Sequence, residues 1–137
     1  EGDDEKSLKL AVEDAGLTHN VKFTGYIHSF KEKFTYLAES KVFVLPSYEE
    51  NWAIVIGEAM ASGVPVVAYK LNELVQVWGD QVNWAKTGDT KGFAHQVLEL
   101  LRSPHNSVEQ IRRSLAFVKK LDWREIAEQE LIYILKK

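Results

Sequence analysis

Pro46-Ser47-Tyr48-Glu49-Glu50-Asn51-Trp52-Ala53-Ile54-Val55-Ile56-Gly57-Glu58-Ala59-Met60-Ala61-Ser62-Gly63-Val64-Pro65-Val66-Val67-Ala68 reads as strand end, loop, helix, glycine stop and buried strand in immediate succession. Just ahead, Val42 to Leu45 is a short, continuous apolar run, the pattern of a strand buried on both faces of a parallel sheet. From Ala53 to Ser62 good helix formers follow, with Ile56, Ala59 and Met60 on one face. Gly63 stands where a left-handed C-cap is wanted, and Pro65 blocks continuation.

Working outward from that stretch, strand and helix patterns alternate. Residues 5 to 15 carry Leu8, Ala11, Val12 and Ala15 at helical spacing, stopped by Gly16. Val21 to Thr24 is apolar enough to be a strand, and Ser29-Phe30-Lys31-Glu32 is a capping-box pattern opening a helix with Phe30, Phe34 and Leu37 inward. Beyond the central stretch, Val66 to Ala68 make a third strand and Asn72 caps a short helix to Trp78, ended by Gly79. Val82 to Ala85 make a fourth strand, and a turn at Thr87 to Thr90 feeds a helix over 91–102 with Phe93, Val97, Leu100 and Leu101 as its stripe. Ser103-Pro104 breaks that helix, Ser107-Val108-Glu109-Gln110 caps the next, and Asp122-Trp123-Arg124-Glu125 a last one. The order predicts an α/β fold: a Rossmann-like parallel sheet flanked by helices, with additional helices at the carboxyl end.

Composition narrows the function classes. At 137 residues and 45% hydrophobic content the chain is long enough to bury one core. A net charge of −3 without a basic run gives no general attraction to nucleic acid or anionic lipid. With no cysteine, disulfide and thiolate chemistry are excluded, and His19, His28, His95 and His105 lack the spacing of a zinc site, so no metal is expected. No apolar stretch approaches the roughly 20 residues of a membrane span.

The chemistry-bearing residues gather in the central loop. Bare amides around Trp52 to Val55, at the positive end of a helix dipole, form a seat for phosphate. Glu50 borders that seat and Glu58 lies about two turns along the helix. Taken alone, the two carboxylates also suit a dipole partner and a solvated helix residue. A glycosidase pair must lie roughly 5 to 9.5 Å apart. Eight residues of helix rise about 12 Å, which disfavours hydrolysis.

The Glu50 to Glu58 spacing, the Glu-Asn-aromatic opening, the small-residue helix end and Gly63-Val64-Pro65-Val66-Val67-Ala68 resemble the nucleotide-sugar site of glycosyltransferase family 4, the group 1 transferases of GT-B fold. Asn20 to Ile27 and Asp122 to Ala127 are similar to further segments of that family, so nearly all of the chain is covered. The resemblance implies a partial GT-B carboxyl-terminal, donor-binding domain over residues 1–137, without the family's first two strands. Its function would be the donor half of a retaining glycosyltransferase that uses a nucleoside-diphosphate sugar, inactive alone and completed by an amino-terminal GT-B domain. The alternative is a catalytically inactive nucleotide-binding or assembly module of the same fold. Either way the resemblance implies no cofactor and no metal, and a cytoplasmic location, peripheral to the membrane in the full-length enzyme.

By that resemblance Glu50 contacts hydroxyls of the donor sugar as the catalytic residue, and the amides of Trp52 and Ala53 lie nearby. Those of Ile54 and Val55 face the diphosphate, Glu58 binds the ribose, and Ser47 and Asn51 complete the donor loop. Carboxylates are acceptors suited to vicinal hydroxyls, as amides are to phosphate oxygens. Thr24, Gly25 and Tyr26 border the nucleobase, although Gly25 equally serves as a plain turn residue. Trp52 is the tryptophan assigned to the site, while Trp78 and Trp84 fit apolar patterns and Trp123 a helix start. Three departures stand out: Ala53 replaces a glycine, Gly57 stands where a larger aliphatic is common, and Leu71-Asn72-Glu73 replaces a glycine pair. Lys70 is a candidate cation for the diphosphate or a solvated lysine. Family strands absent ahead of Glu1 would leave a gap in the sheet. The alternatives are a partner chain that fills it, a sheet that closes differently, or a longer parent chain. Unpaired edges imply a homodimer or aggregation.

Overall fold

The structure, a computed structural model, describes residues 2–122 together with Arg124, Glu128, Leu131 and Ile132. Its elements run α1 (Glu5–Asp14), α2 (Phe30–Glu39), β1 (Phe43–Leu45), α3 (Ile54–Ala61), β2 (Val66–Tyr69) and α4 (Asn72–Trp78). A 3-10 turn (Gly79–Gln81), β3 (Asn83–Ala85), α5 (Thr90–Arg102) and α6 (Pro104–Val118) complete the order. Three parallel strands lie in the order β1-β2-β3, with Phe43 opposite Val66 and Val67 opposite Asn83. Parallel neighbours need a crossover, and α3 and α4 supply one each. The protein has an α/β, Rossmann-like fold.

The chain divides into two units, Glu1–Lys33 and Phe34–Lys137. The second holds the core. β2 is buried along its whole length because it has a strand on either side. Around it close Ile56, Ala59 and Met60 from α3, Leu74 and Trp78 from α4, and Val64, Val82 and Leu37. α3 packs against α6, and α5 against both β2 and β3.

The predicted stop of α3 takes the form of a Schellman motif. Gly63 adopts φ +74°, its N–H donates to the Met60 carbonyl at 3.0 Å, and the Val64 N–H reaches back to Ala59 at 3.0 Å. Val64 and Ala59 are both buried, which supplies the motif's apolar contact.

Several expectations are corrected. Val21 to Thr24 is not a strand: a strand needs a neighbour to take its hydrogen bonds, and among the described residues that run has none. Among the described residues the sheet therefore has three strands rather than four. β1 is an edge strand, so Val44 is 43% exposed and the run is not buried on both faces. In α2 the Ser29 hydroxyl does accept from the Glu32 N–H at 3.3 Å and Leu37 is buried. Phe30, however, is 74% exposed, with the Lys33 ammonium 5.0 Å from its ring.

Asn72 is the first residue of α4 and not its cap; the extended residue before it is Leu71. α5 starts one residue early, at Thr90, because the Asp89 carboxylate accepts from the Gly92 N–H at 2.9 Å. Leu101 lies outside the buried stripe, and Gln96 instead donates to the Trp84 carbonyl at 2.8 Å. Ser107 caps nothing. Proline has no N–H to leave unsatisfied at a helix start, so α6 begins at Pro104, and the Ser107 hydroxyl donates to the Leu100 carbonyl at 2.7 Å. At Asp122 the carboxylate accepts from the Arg124 N–H at 2.8 Å. Trp123 and most of the remaining residues of the last predicted helix lie outside the described residues.

Candidate functional site

Ligands of open α/β sheets lie beyond the carboxyl ends of the strands. In the second unit that edge is built by residues 46–53 after β1, Lys70 after β2 and Lys86 to Asp89 after β3. The Thr87 hydroxyl ties two of these connections together by donating to the Lys70 carbonyl at 3.0 Å. Tyr69, at the end of β2, stacks edge-on to Phe93 and lies 5.5 Å from the Tyr48 ring. Burial pushes the Tyr69 phenol above its ordinary pKa, and Tyr48 beside it adds to the rise. At neutral pH Tyr69 is therefore a protonated hydroxyl at the sheet edge.

The loop after β1 ends in a strained residue. Ala53, immediately before α3, takes φ 46° and ψ 61°, the one positive φ outside glycine among the described residues. An L-residue there costs roughly 1–2 kcal/mol. Such outliers persist where surrounding structure over-determines them, and here two bonds do so. The Ile56 N–H donates to the Ala53 carbonyl at 2.8 Å, and the Trp78 indole N–H donates to the Trp52 carbonyl at 2.8 Å. Replacing Ala53 by glycine is expected to raise stability by about 0.5–1 kcal/mol, relief of strain exceeding glycine's entropic cost. Urea unfolding measures it; a midpoint that falls would show that Ala53 is not strained in solution.

At the start of α3, no backbone carbonyl among the described residues accepts from Ile54 or Val55. Those N–H groups carry the positive end of the helix dipole. Glu58 follows on the same helix, half-buried, and lines a cavity of about 220 Å³ with Phe34, Trp52, Ile54, Trp78 and Leu121. Glu50 and Ser47 are half-buried in the loop, and Asn51 is exposed. Trp52 is 41% exposed and sets its ring edge-on to Trp78, centroids 6.2 Å apart. Loop and helix start thus bring Ser47, Glu50, Asn51, Trp52, Ala53, Ile54, Val55 and Glu58 onto one connection.

Thr24, Gly25 and Tyr26 belong to the first unit. There the Thr24 hydroxyl donates to the Gly25 carbonyl at 3.3 Å, Gly25 takes φ +62°, and Tyr26 stacks edge-on to His28. The positive φ satisfies the plain turn reading of Gly25.

Sequence reading placed Trp78 in the core and missed its hold on the loop. The signal was Gly57. A Cβ there would stand 2.8 Å from the tip of the Trp78 ring, so the glycine is where the indole needs room. Trp78 itself is 2% exposed.

Residues 1–115 match the family described as "Glycosyl transferases group 1". The chain is similar to the O-antigen chain mannosyltransferase B of Escherichia coli, 29% identical over 81% of this chain and 29% of that protein. It is also similar to the phosphatidyl-myo-inositol mannosyltransferase of Mycobacterium leprae, 28% identical over 93% of this chain and 34% of that one. Among solved structures, sucrose-phosphate synthase from Thermosynechococcus elongatus superposes with a TM-score of 0.85 at 25% identity, over 98% of this chain and 34% of that one. The chain spans about a third of the length of the curated relatives it matches.

Proposed function

The chain belongs to the group 1 glycosyl transferases, and on that premise we propose that residues 1–137 are part of the carboxyl-terminal, donor-binding domain of a retaining enzyme of GT-B fold. The donor is a nucleoside-diphosphate sugar, and an amino-terminal domain completes the enzyme. The observation that carries this reading is the connection from β1 into α3, where among the described residues no backbone carbonyl accepts from the Ile54 and Val55 N–H groups and the half-buried Glu58 follows one turn later. The likeness to the mannosyltransferases supports the same assignment.

In this reading the Ile54 and Val55 amides take up the charge that develops on the diphosphate as its bond to the anomeric carbon breaks. Glu50 orients the sugar through its hydroxyls. Glu58 accepts from the two ribose hydroxyls. In this reading no metal and no cofactor takes part: the amides neutralise the leaving group, with Lys70 as the candidate cation beside them. Among the described residues no helix is long and apolar enough to cross a membrane, and we place the enzyme in the cytoplasm.

Calorimetric titration with UDP, GDP and their glucose and mannose conjugates tests the assignment. Glu58→Ala is expected to weaken binding by about tenfold to a hundredfold, the worth of hydrogen bonds to a charged acceptor. Silence across the panel, or binding that Glu58→Ala leaves untouched, overturns it.

A further inference from the structure

We propose that Trp78 is a positioning residue for the donor loop, setting the direction of the Ala53 N–H through the Trp52–Ala53 peptide. This rests on the assignment above and adds to it a residue that lies outside the loop. Trp78 sits at the end of α4, 26 positions along the chain from the carbonyl it holds. Its indole N–H donates to that carbonyl at 2.8 Å. The peptide is trans and planar, so its C=O and N–H point in opposite directions. Anchoring the Trp52 oxygen on the core side therefore aims the Ala53 N–H away from the core, alongside the Ile54 and Val55 amides at the start of α3.

Three further observations point the same way. Ala53 is held in the left-handed region, a conformation it would leave if the preceding peptide could rotate. The Trp52 ring lies edge-on to Trp78, a second contact that restrains the same residue. Gly57 leaves the space the indole tip occupies, where a Cβ would stand at 2.8 Å. Gly57 and Trp78 thus act as a pair. The missing side chain on α3 admits the ring, and the ring reaches back to hold the loop that precedes α3.

A residue that merely fills the core would support every part of a ligand equally, whereas one that aims an amide at phosphate acts on the phosphate alone. The test compares the full chain with Trp78→Phe, which keeps an aromatic ring and lacks the N–H. NMR titration measures affinity for uridine and guanosine beside UDP and GDP. Expected is a loss of about tenfold for the diphosphates, the scale of a hydrogen bond to a charged group, with the nucleosides unchanged. Equal losses for nucleoside and diphosphate, or none for either, overturn the proposal.

A second readout needs no ligand and separates this inference from the donor assignment. A positive φ gives a strong intraresidue NOE between the Ala53 amide and its Hα. That signal is expected in the wild-type chain and lost in Trp78→Phe. Its persistence in the variant overturns the positioning role even where nucleotides bind, and its loss supports the role even where no nucleotide binds. Should Trp78→Phe not fold, Gly57→Ala pushes on the ring tip while keeping the N–H. The same weakening of the Ala53 NOE is expected there, and an unchanged NOE counts against the proposal.

Discussion

Replacing Trp78 by alanine is expected to cost about 3–5 kcal/mol, the range for emptying a buried tryptophan site. It is also expected to reverse the effect of a second substitution, Gly57→Ala. In the wild-type background the new Cβ would meet the indole at 2.8 Å in a ring that is 2% exposed and held at both ends. Phe117 packs on it at 6.3 Å and the Trp52 carbonyl takes its N–H. The ring would have to give up the bond of its N–H or its contact with Phe117 to move, so overpacking of about 1–3 kcal/mol outweighs the 0.5–1 kcal/mol that alanine gains over glycine in a helix. With the indole removed, only the helical gain remains and Gly57→Ala becomes stabilising. Urea unfolding of the four proteins closes the cycle. If Gly57→Ala costs the same in both backgrounds, the indole is not what excludes a side chain at position 57.

Gln110→Leu is expected to destabilise the chain by about 2–4 kcal/mol despite similar volume and greater apolarity. Gln110 is almost fully buried, yet its side chain makes three hydrogen bonds. Its amide nitrogen donates to the Val66 carbonyl at 3.1 Å and to the Gln81 carbonyl at 3.0 Å, and its oxygen accepts from the Asn83 amide at 2.8 Å. One turn on, the buried Ser114 hydroxyl donates to the same Gln81 carbonyl at 3.2 Å. These bonds bracket α6 to the starts of β2 and β3. Leucine would satisfy none of them, and the Asn83 amide would lose its buried acceptor. Thermal unfolding should show the loss as a drop of about 6–12 °C, taking roughly 3 °C per kcal/mol at this chain length. A melting temperature equal to that of the wild type would mean that water replaces the bracket at no cost.

Trp78 and Gln110 show where sequence reading reached its limit. Both sit in apolar or helical patterns, and periodicity assigned the first to the core and the second to a cap at Ser107. What each does depends on a carbonyl 26 or 44 residues distant. The central stretch was legible for the opposite reason. Strand, loop, helix, Gly63 and strand are decided by neighbours a few residues apart, and the Schellman bonds at Gly63 and Val64 agree with that reading. The departure of Ala53 from glycine was likewise visible, and the positive φ gives it physical meaning.

Val21 to Thr24 failed because a strand is not a local object: its carbonyls and amides need a partner that composition does not reveal. Val44 failed through the same dependence, since burial on both faces belongs to a strand's position in the sheet and not to its residues. By itself the sequence determined the α/β alternation and the helix stops, set by short-range stereochemistry and hydrophobic period, and its Glu50 to Glu58 stretch carried the resemblance to the family. Only the tertiary structure decided which strands pair, which helix face is covered, and that an indole from α4 holds the loop ahead of α3, because those contacts join residues whose separation along the chain says nothing of their distance in space.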